Sequence, residues 1–71
     1  MKVIYDPETD TLDIVLRDEA VAESDELREG IAVDYDKKDR IVSVEVLDAS
    51  RHVSEPQSLK YELKMPKAAG E

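Results

Sequence analysis

The chain of 71 residues contains no cysteine, no tryptophan and no phenylalanine, and only two glycines. Without cysteine there is neither a disulfide framework nor a thiolate metal site, so two usual supports of very small domains are excluded. The aromatic content is three tyrosines, too few to line a deep ligand pocket of the ordinary apolar kind. Gly30 and Gly70 stand alone, and neither sits in a glycine-rich loop that could cradle phosphate. The longest apolar run is three residues, so no segment is long enough for a membrane-spanning helix. The first residues lack the charged-then-apolar pattern of a signal peptide, and a cytoplasmic location is expected.

What is abundant is acid. Eighteen Asp and Glu against ten Lys and Arg leave a formal net charge of -8. Nucleic-acid binding depends on lysine and arginine displacing counterions from phosphates, so direct nucleic-acid recognition is not expected. The same charge raises encounter rates with basic surfaces. A single domain is expected over residues 1–65, with a frayed tail over 66–71. Such a chain is near the lower size limit for autonomous folding, where a ~60-residue domain buries only ~60% of its unfolded surface.

Period-two alternation dominates the pattern. Val3 and Tyr5 share one face; Leu12, Ile14 and Leu16 share another, with Asp13 opposite. Between them Asp6-Pro7 supplies turn chemistry, since proline fixes φ and an aspartate before it can bond backbone N–H groups two residues on. The stretch YDPETD at Tyr5–Asp10 is echoed by YDKKD at Tyr35–Asp39. Around the echo, Ile31, Val33 and Tyr35 alternate with Ala32 and Asp34, and Val42, Val44 and Val46 alternate with Ser43 and Glu45. Valine and isoleucine suit a pleated surface, so composition agrees with periodicity. Residues 1–16 and 31–48 therefore read as a repeated β-hairpin, Thr9 having no counterpart in the second copy.

Between the hairpins, residues 18–29 are sparse in apolar groups. They are expected to form an exposed edge strand from about Val21 to Leu27, whose charges discourage unwanted pairing. A helix aligning Glu19, Glu23 and Leu27 is the competing reading. Gly30 suits a turn with positive φ. Ala49–Val53 is expected to form one helical turn capped by Asp48 or Ser50 and ended by Pro56. In residues 58–65, Leu59, Tyr61, Leu63 and Met65 alternate with Lys60, Glu62 and Lys64, which predicts a last strand, although Leu59 and Leu63 would also share a helix face. The fold class is mainly β: a small antiparallel meander of about five to six strands with at most one short helical turn. With no long amphipathic helix to cover its apolar face, the sheet must curl into a small roll or barrel or pack against a second copy, and of these a homodimer is expected.

Chemical signals are weak. Asp6, Glu8 and Asp10 have the spacing that opens a calcium loop, but Thr11 and Arg17 occupy positions where glycine and a bidentate glutamate are required. Turn chemistry accounts for them and for Asp34, Asp36 and Asp39. His52 is the only histidine; with Asp48, Ser50 and Ser54 near it a triad is conceivable on paper, but a triad requires spatial geometry that sequence proximity does not supply. The expectation is no catalytic, cofactor-binding or metal residues. The rival reading is a small hydrolase or metal-dependent enzyme using Asp34, Glu45, Asp48 and His52.

Taken together, Tyr5-Asp6-Pro7-Glu8, Asp10-x-Leu12-x-Ile14-x-Leu16, Glu29-Gly30-Ile31-x-Val33-Asp34-Tyr35-Asp36 and Ile41-Val42-x-Val44-Glu45-Val46-Leu47-Asp48-Ala49-Ser50 resemble the bacterial and archaeal family called domain of unknown function 2283. The resemblance covers about Lys2 to Arg51. It implies a compact β-rich domain and carries over no activity, cofactor or catalytic residue. It also implies an antitoxin-type role beside a small basic nuclease-like protein. The function expected is that of a non-enzymatic interaction module whose partner is a basic protein.

Overall fold

The computed structural model describes residues 1–66. Five strands, β1 (Lys2–Asp6), β2 (Thr11–Val15), β3 (Glu23–Arg28), β4 (Ile31–Tyr35) and β5 (Ile41–Val46), are followed by a single helical turn, α1 (Ala49–His52). All pairs are antiparallel, and the sheet order is β1-β2-β5-β4-β3. The expected mainly β class with one short helical turn is what the chain adopts.

The two echoed stretches are matching turns. In the first, the Glu8 N–H donates to Asp6 Oδ1 at 2.9 Å; in the second, the Lys38 N–H donates to Asp36 Oδ1 at 2.8 Å. Each turn ends on an aspartate with positive φ, 54° at Asp10 and 60° at Asp39. Aspartate tolerates that left-handed conformation better than most residues because its short polar side chain bonds locally. Local side-chain chemistry thus closes both hairpins before any long-range contact is needed.

Strand order follows from which strands need two neighbours. β2 and β5, the second strands of the two hairpins, lie side by side at the centre, with Leu12 opposite Val46 and Ile14 opposite Val44. β3, with the sequence ESDELR, is exposed at every position and takes an edge beside β4. A strand charged on both faces loses least at an edge, where its side chains and one row of backbone groups stay in water. The path is therefore a hairpin, β1–β2, joined through β2–β5 to a meander of β3, β4 and β5. The edge strand expected at Val21–Leu27 is present at Glu23–Arg28, and the helical alternative is not.

The register separates the faces. On one face Val3, Tyr5, Leu12 and Ile14 continue into Val44, Val46, Val33 and Ile31. Leu12, Val33, Val42 and Ala49 are the buried apolar residues of this thin core. The opposite face carries the row Ile4, Asp13, Glu45, Ala32 and the row Val15, Ser43, Asp34, Ser24. A register shift between Asp34 and Tyr35 sets Tyr35 opposite Ile41 and leaves Val42 as the additional residue of β5. Its carbonyl accepts the N–H groups of Leu16 and Arg17 at 2.7 and 3.2 Å, which carries the chain out of β2.

Two expectations need correction. The strand predicted over 58–65 is absent: no residue from Ser58 to Pro66 is in a strand. A strand exists only when its N–H and C=O groups find a neighbouring strand. After the turn that closes with the Ser58 N–H on the Glu55 carbonyl, the chain passes over the apolar face near Met1 and Val3 instead of along a free edge. Leu59, Tyr61, Leu63 and Met65 remain mostly exposed. The second correction is the cap of α1. Asp48 does occupy the N-cap, but with φ 50° and ψ 47° it makes no side-chain cap bond, and the carboxylate serving that end is Asp10. The helical turn ends at His52, before Pro56. Of the tail expected over 66–71, all beyond Pro66 lies outside the described residues.

Candidate functional site

The acidic face is built by strand register. β5 presents Ser43 and Glu45 on that face, β4 presents Ala32 and Asp34, and β2 presents Asp13 directly opposite Glu45. Asp34 is buried, at 6% exposure, in the middle of a sheet where a lone carboxylate would be costly. Its two oxygens are served by hydroxyl donors, Ser24 Oγ at 2.5 Å from Oδ1 and Ser43 Oγ at 2.6 Å from Oδ2. Burial acts to raise the Asp34 pKa, and the hydrogen bonds from Ser24, Ser43 and Glu45 outweigh it, so its carboxyl is held below the usual aspartate range.

Glu45 moves the other way. Its hydrogen bond to Asp34, then burial, then the negative charges of Asp34 and Asp13 push its carboxyl above the usual glutamate range. When protonated, Glu45 can donate to the Asp34 carboxylate, and the raised pKa favours that form relative to an ordinary glutamate. Two neighbouring carboxyls with pKa values driven apart form an acid and a base by environment alone. Asp13 adds negative charge at the margin of the pair, and its Oδ1 is buried without a hydrogen-bond partner among the described residues.

Of the four residues in the rival enzyme reading, Asp34 and Glu45 come together. Asp48 and His52 do not join them: both are exposed, beyond the end of β5, and neither bonds to the pair. Ser50 is turned to Asp10, donating its N–H and hydroxyl, and Ser54 is exposed. No three His, Asp or Glu side chains among the described residues are placed to hold a metal ion.

The turn acids are structural. Asp6 and Asp36 hold their turns, and Asp36 also accepts the Arg40 N–H at 2.9 Å and pairs with Arg40 Nε at 2.8 Å. The Arg40 backbone N–H is the main cause of the lowered pKa at Asp36, working against burial with help from the Lys38 N–H and the guanidinium. Asp10 accepts from Ser50 and from Tyr5 Oη at 2.7 Å; these bonds lower its pKa, and the one to Asp10 raises that of the tyrosine. Sequence reading missed Asp13, Ser24 and Ser43. Parity along each strand identifies their faces, but the β2–β5 register that sets Asp13 against Glu45 has no local signal.

Beside this face lies the free edge. β3 contributes Glu23, Asp25 and Glu26 on an edge with no strand beyond it among the described residues, and Ser24 and Glu26 continue the acidic face past Asp34 and Ala32. No helix among the described residues is long and apolar enough to cross a membrane.

Fold and surface together define a small antiparallel β-sheet domain with one acidic face and one acidic edge. The family model described as a protein of unknown function (DUF2283) matches residues 2–50, and the chain belongs to that family. The match ends at Ser50, the residue that ties α1 to the first turn. Neither the curated proteins nor the solved structures provide a match.

Proposed function

We propose that the protein is a non-enzymatic interaction module that binds a basic protein through β3 and the adjoining acidic face. One observation carries the reading: the free edge strand is fully exposed and holds Glu23, Asp25 and Glu26 against a single Arg28. A partner segment adding to this edge would gain main-chain hydrogen bonds, with lysine or arginine side chains meeting the acids. Electrostatic complementarity of that kind speeds encounter and selects the partner, and salt weakens it. An antitoxin-like role toward a basic protein fits this surface. The test is co-purification from the native host at low ionic strength, followed by titration of the identified partner with wild-type protein and with Asp25→Lys and Glu26→Lys. Affinity should fall with added salt and in both variants. A partner indifferent to salt and to both substitutions would count against the proposal, as would no partner at all.

The Asp34–Glu45 pair supports a second reading, a hydrolase with Glu45 as acid and Asp34 as base. It does not involve His52. Hydrolysis of any ester or glycoside in a broad panel, lost in Glu45→Gln protein that still folds, would favour that reading over the first.

A further inference from the structure

The sheet has two edges, and they differ in what they would do to a second copy of themselves. We infer that β1 is a self-pairing edge, and that two copies of this chain join β1 to β1 in a continuous ten-stranded antiparallel sheet.

β1 is bonded to β2 on one side, and no backbone hydrogen bond among the described residues reaches its other side. Its sequence, KVIYD, is complementary to itself when run antiparallel. Pairing centred on Ile4 sets Lys2 opposite the Asp6 of the other copy, Val3 opposite Tyr5, and Ile4 opposite Ile4. Both ion pairs fall on the face that carries Ile4, because Lys2, Ile4 and Asp6 share parity. Asp6 uses Oδ1 for the Glu8 N–H, and among the described residues its Oδ2 has no hydrogen-bond partner, which leaves it for the lysine. Opposite charges directly across a strand pair are favourable and like charges unfavourable, so the arrangement selects this register. It is also isologous, which closes the assembly at two copies.

Exposure points to the same edge. Val3 is 36% exposed and Ile4 42%, one on each face, so β1 shows apolar surface on both sides of the sheet. An apolar free edge is the feature that ordinarily invites pairing. β3 has the opposite character. Antiparallel self-pairing centred on Asp25 would set Asp25 against Asp25 with no base opposite an acid, and centring between Asp25 and Glu26 would oppose those acids twice while Glu23 meets Arg28; with three acids to one base, the edge suits a basic partner better than a second copy. The β1 dimer would therefore hold its two β3 edges outermost, at opposite ends of the sheet. This goes beyond the proposed partner binding and does not depend on it.

The two associations also respond oppositely to salt. Each copy carries -8, so long-range repulsion opposes the dimer and screening strengthens it.

Sedimentation velocity on the full chain tests the inference. Wild-type protein is expected to sediment at twice the monomer mass of 8.0 kDa, and more completely as salt is added. Ile4→Lys and Ile4→Glu, each placing like charges at the two-fold axis, are expected to be monomers with an unchanged circular dichroism spectrum. An equimolar mixture of these two proteins should recover the dimer, a result that a folding defect could not produce. Lys2→Glu, which faces Asp6 with a second acid, should shift wild-type association toward monomer, and Glu26→Lys on β3 should leave it dimeric. A wild-type monomer at the highest soluble concentration would overturn the inference. So would dimers in the separate Ile4 variants, failure of the mixture, or open-ended polymers.

Discussion

The carboxylate of Asp10 receives both the backbone N–H and the hydroxyl of Ser50, forty positions further along, at 3.1 and 2.6 Å. The same carboxylate accepts the Tyr5 hydroxyl, and the Asp10 carbonyl accepts the Ala49 N–H at 2.8 Å. One residue with φ 54° therefore ends the first turn and caps the helical turn that follows the last strand. Asp10→Ala removes all three side-chain bonds and puts a β-carbon residue without a local polar partner at positive φ. Its melting temperature should fall by several degrees, more than in Tyr5→Phe or Ser50→Ala, each of which leaves Asp10 another donor. Thermal unfolding followed by far-ultraviolet circular dichroism ranks the three.

The acidic pair makes a prediction about pH. Glu45 is raised in the folded state, so its contribution is complete below the ordinary glutamate pKa and is lost as pH climbs through the raised value. Asp10, Asp34 and Asp36 are lowered, so theirs is present above the ordinary aspartate pKa and is lost as pH falls through the lowered values. Glu45→Gln keeps a donor toward Asp34 and cannot ionise. The variant should match wild type in acid and exceed it by about 1 kcal/mol at neutral pH, the scale of one net hydrogen bond. Urea unfolding at a series of pH values checks the crossover.

Among the described residues, Leu12 is one of four buried apolar residues in a core with no fully buried large side chain. Leu12→Ala should cost about 2 kcal/mol, the lower end for such truncations, because the partly open face lets neighbours settle into the space. In so small a domain that loss is a large part of the total stability, so the variant should show a populated unfolded fraction at physiological temperature in hydrogen exchange.

Gly30 has φ 84° in the β3–β4 turn, and an added Cβ would lie 3.4 Å from the Leu47 carbonyl oxygen. Gly30→Ala combines the left-handed penalty with a tight backbone contact. A loss of about 1–2 kcal/mol is expected by denaturant unfolding, with the m-value unchanged.

Some of this was legible locally. Asp6-Pro7 and Asp36 announce turns because their side chains reach backbone N–H groups two residues away, and the alternation of Leu12 with Ile14 or Val44 with Val46 places a face without reference to any partner. Asp34 and Glu45 could be assigned to adjacent strands because a single hairpin joins them. The arm at 58–65 misled for a complementary reason: Leu59, Tyr61, Leu63 and Met65 have strand periodicity, but no edge among the described residues pairs with them. Asp13 against Glu45 and Asp10 against Ser50 were not legible, since both depend on contacts between the first hairpin and the end of β5.

By itself, then, the amino-acid sequence determined the four strands of the two hairpins, the two matching turns, the helical turn and the excess of acid. Each rests on interactions within a few residues or on composition alone. Only the tertiary structure decided that β2 lies against β5, that Asp13 faces Glu45, and that the two edges differ, one acidic and one apolar. Those outcomes depend on register between segments far apart in the chain. Register is chosen by burying the whole apolar face at once, a cooperative choice that no single segment encodes.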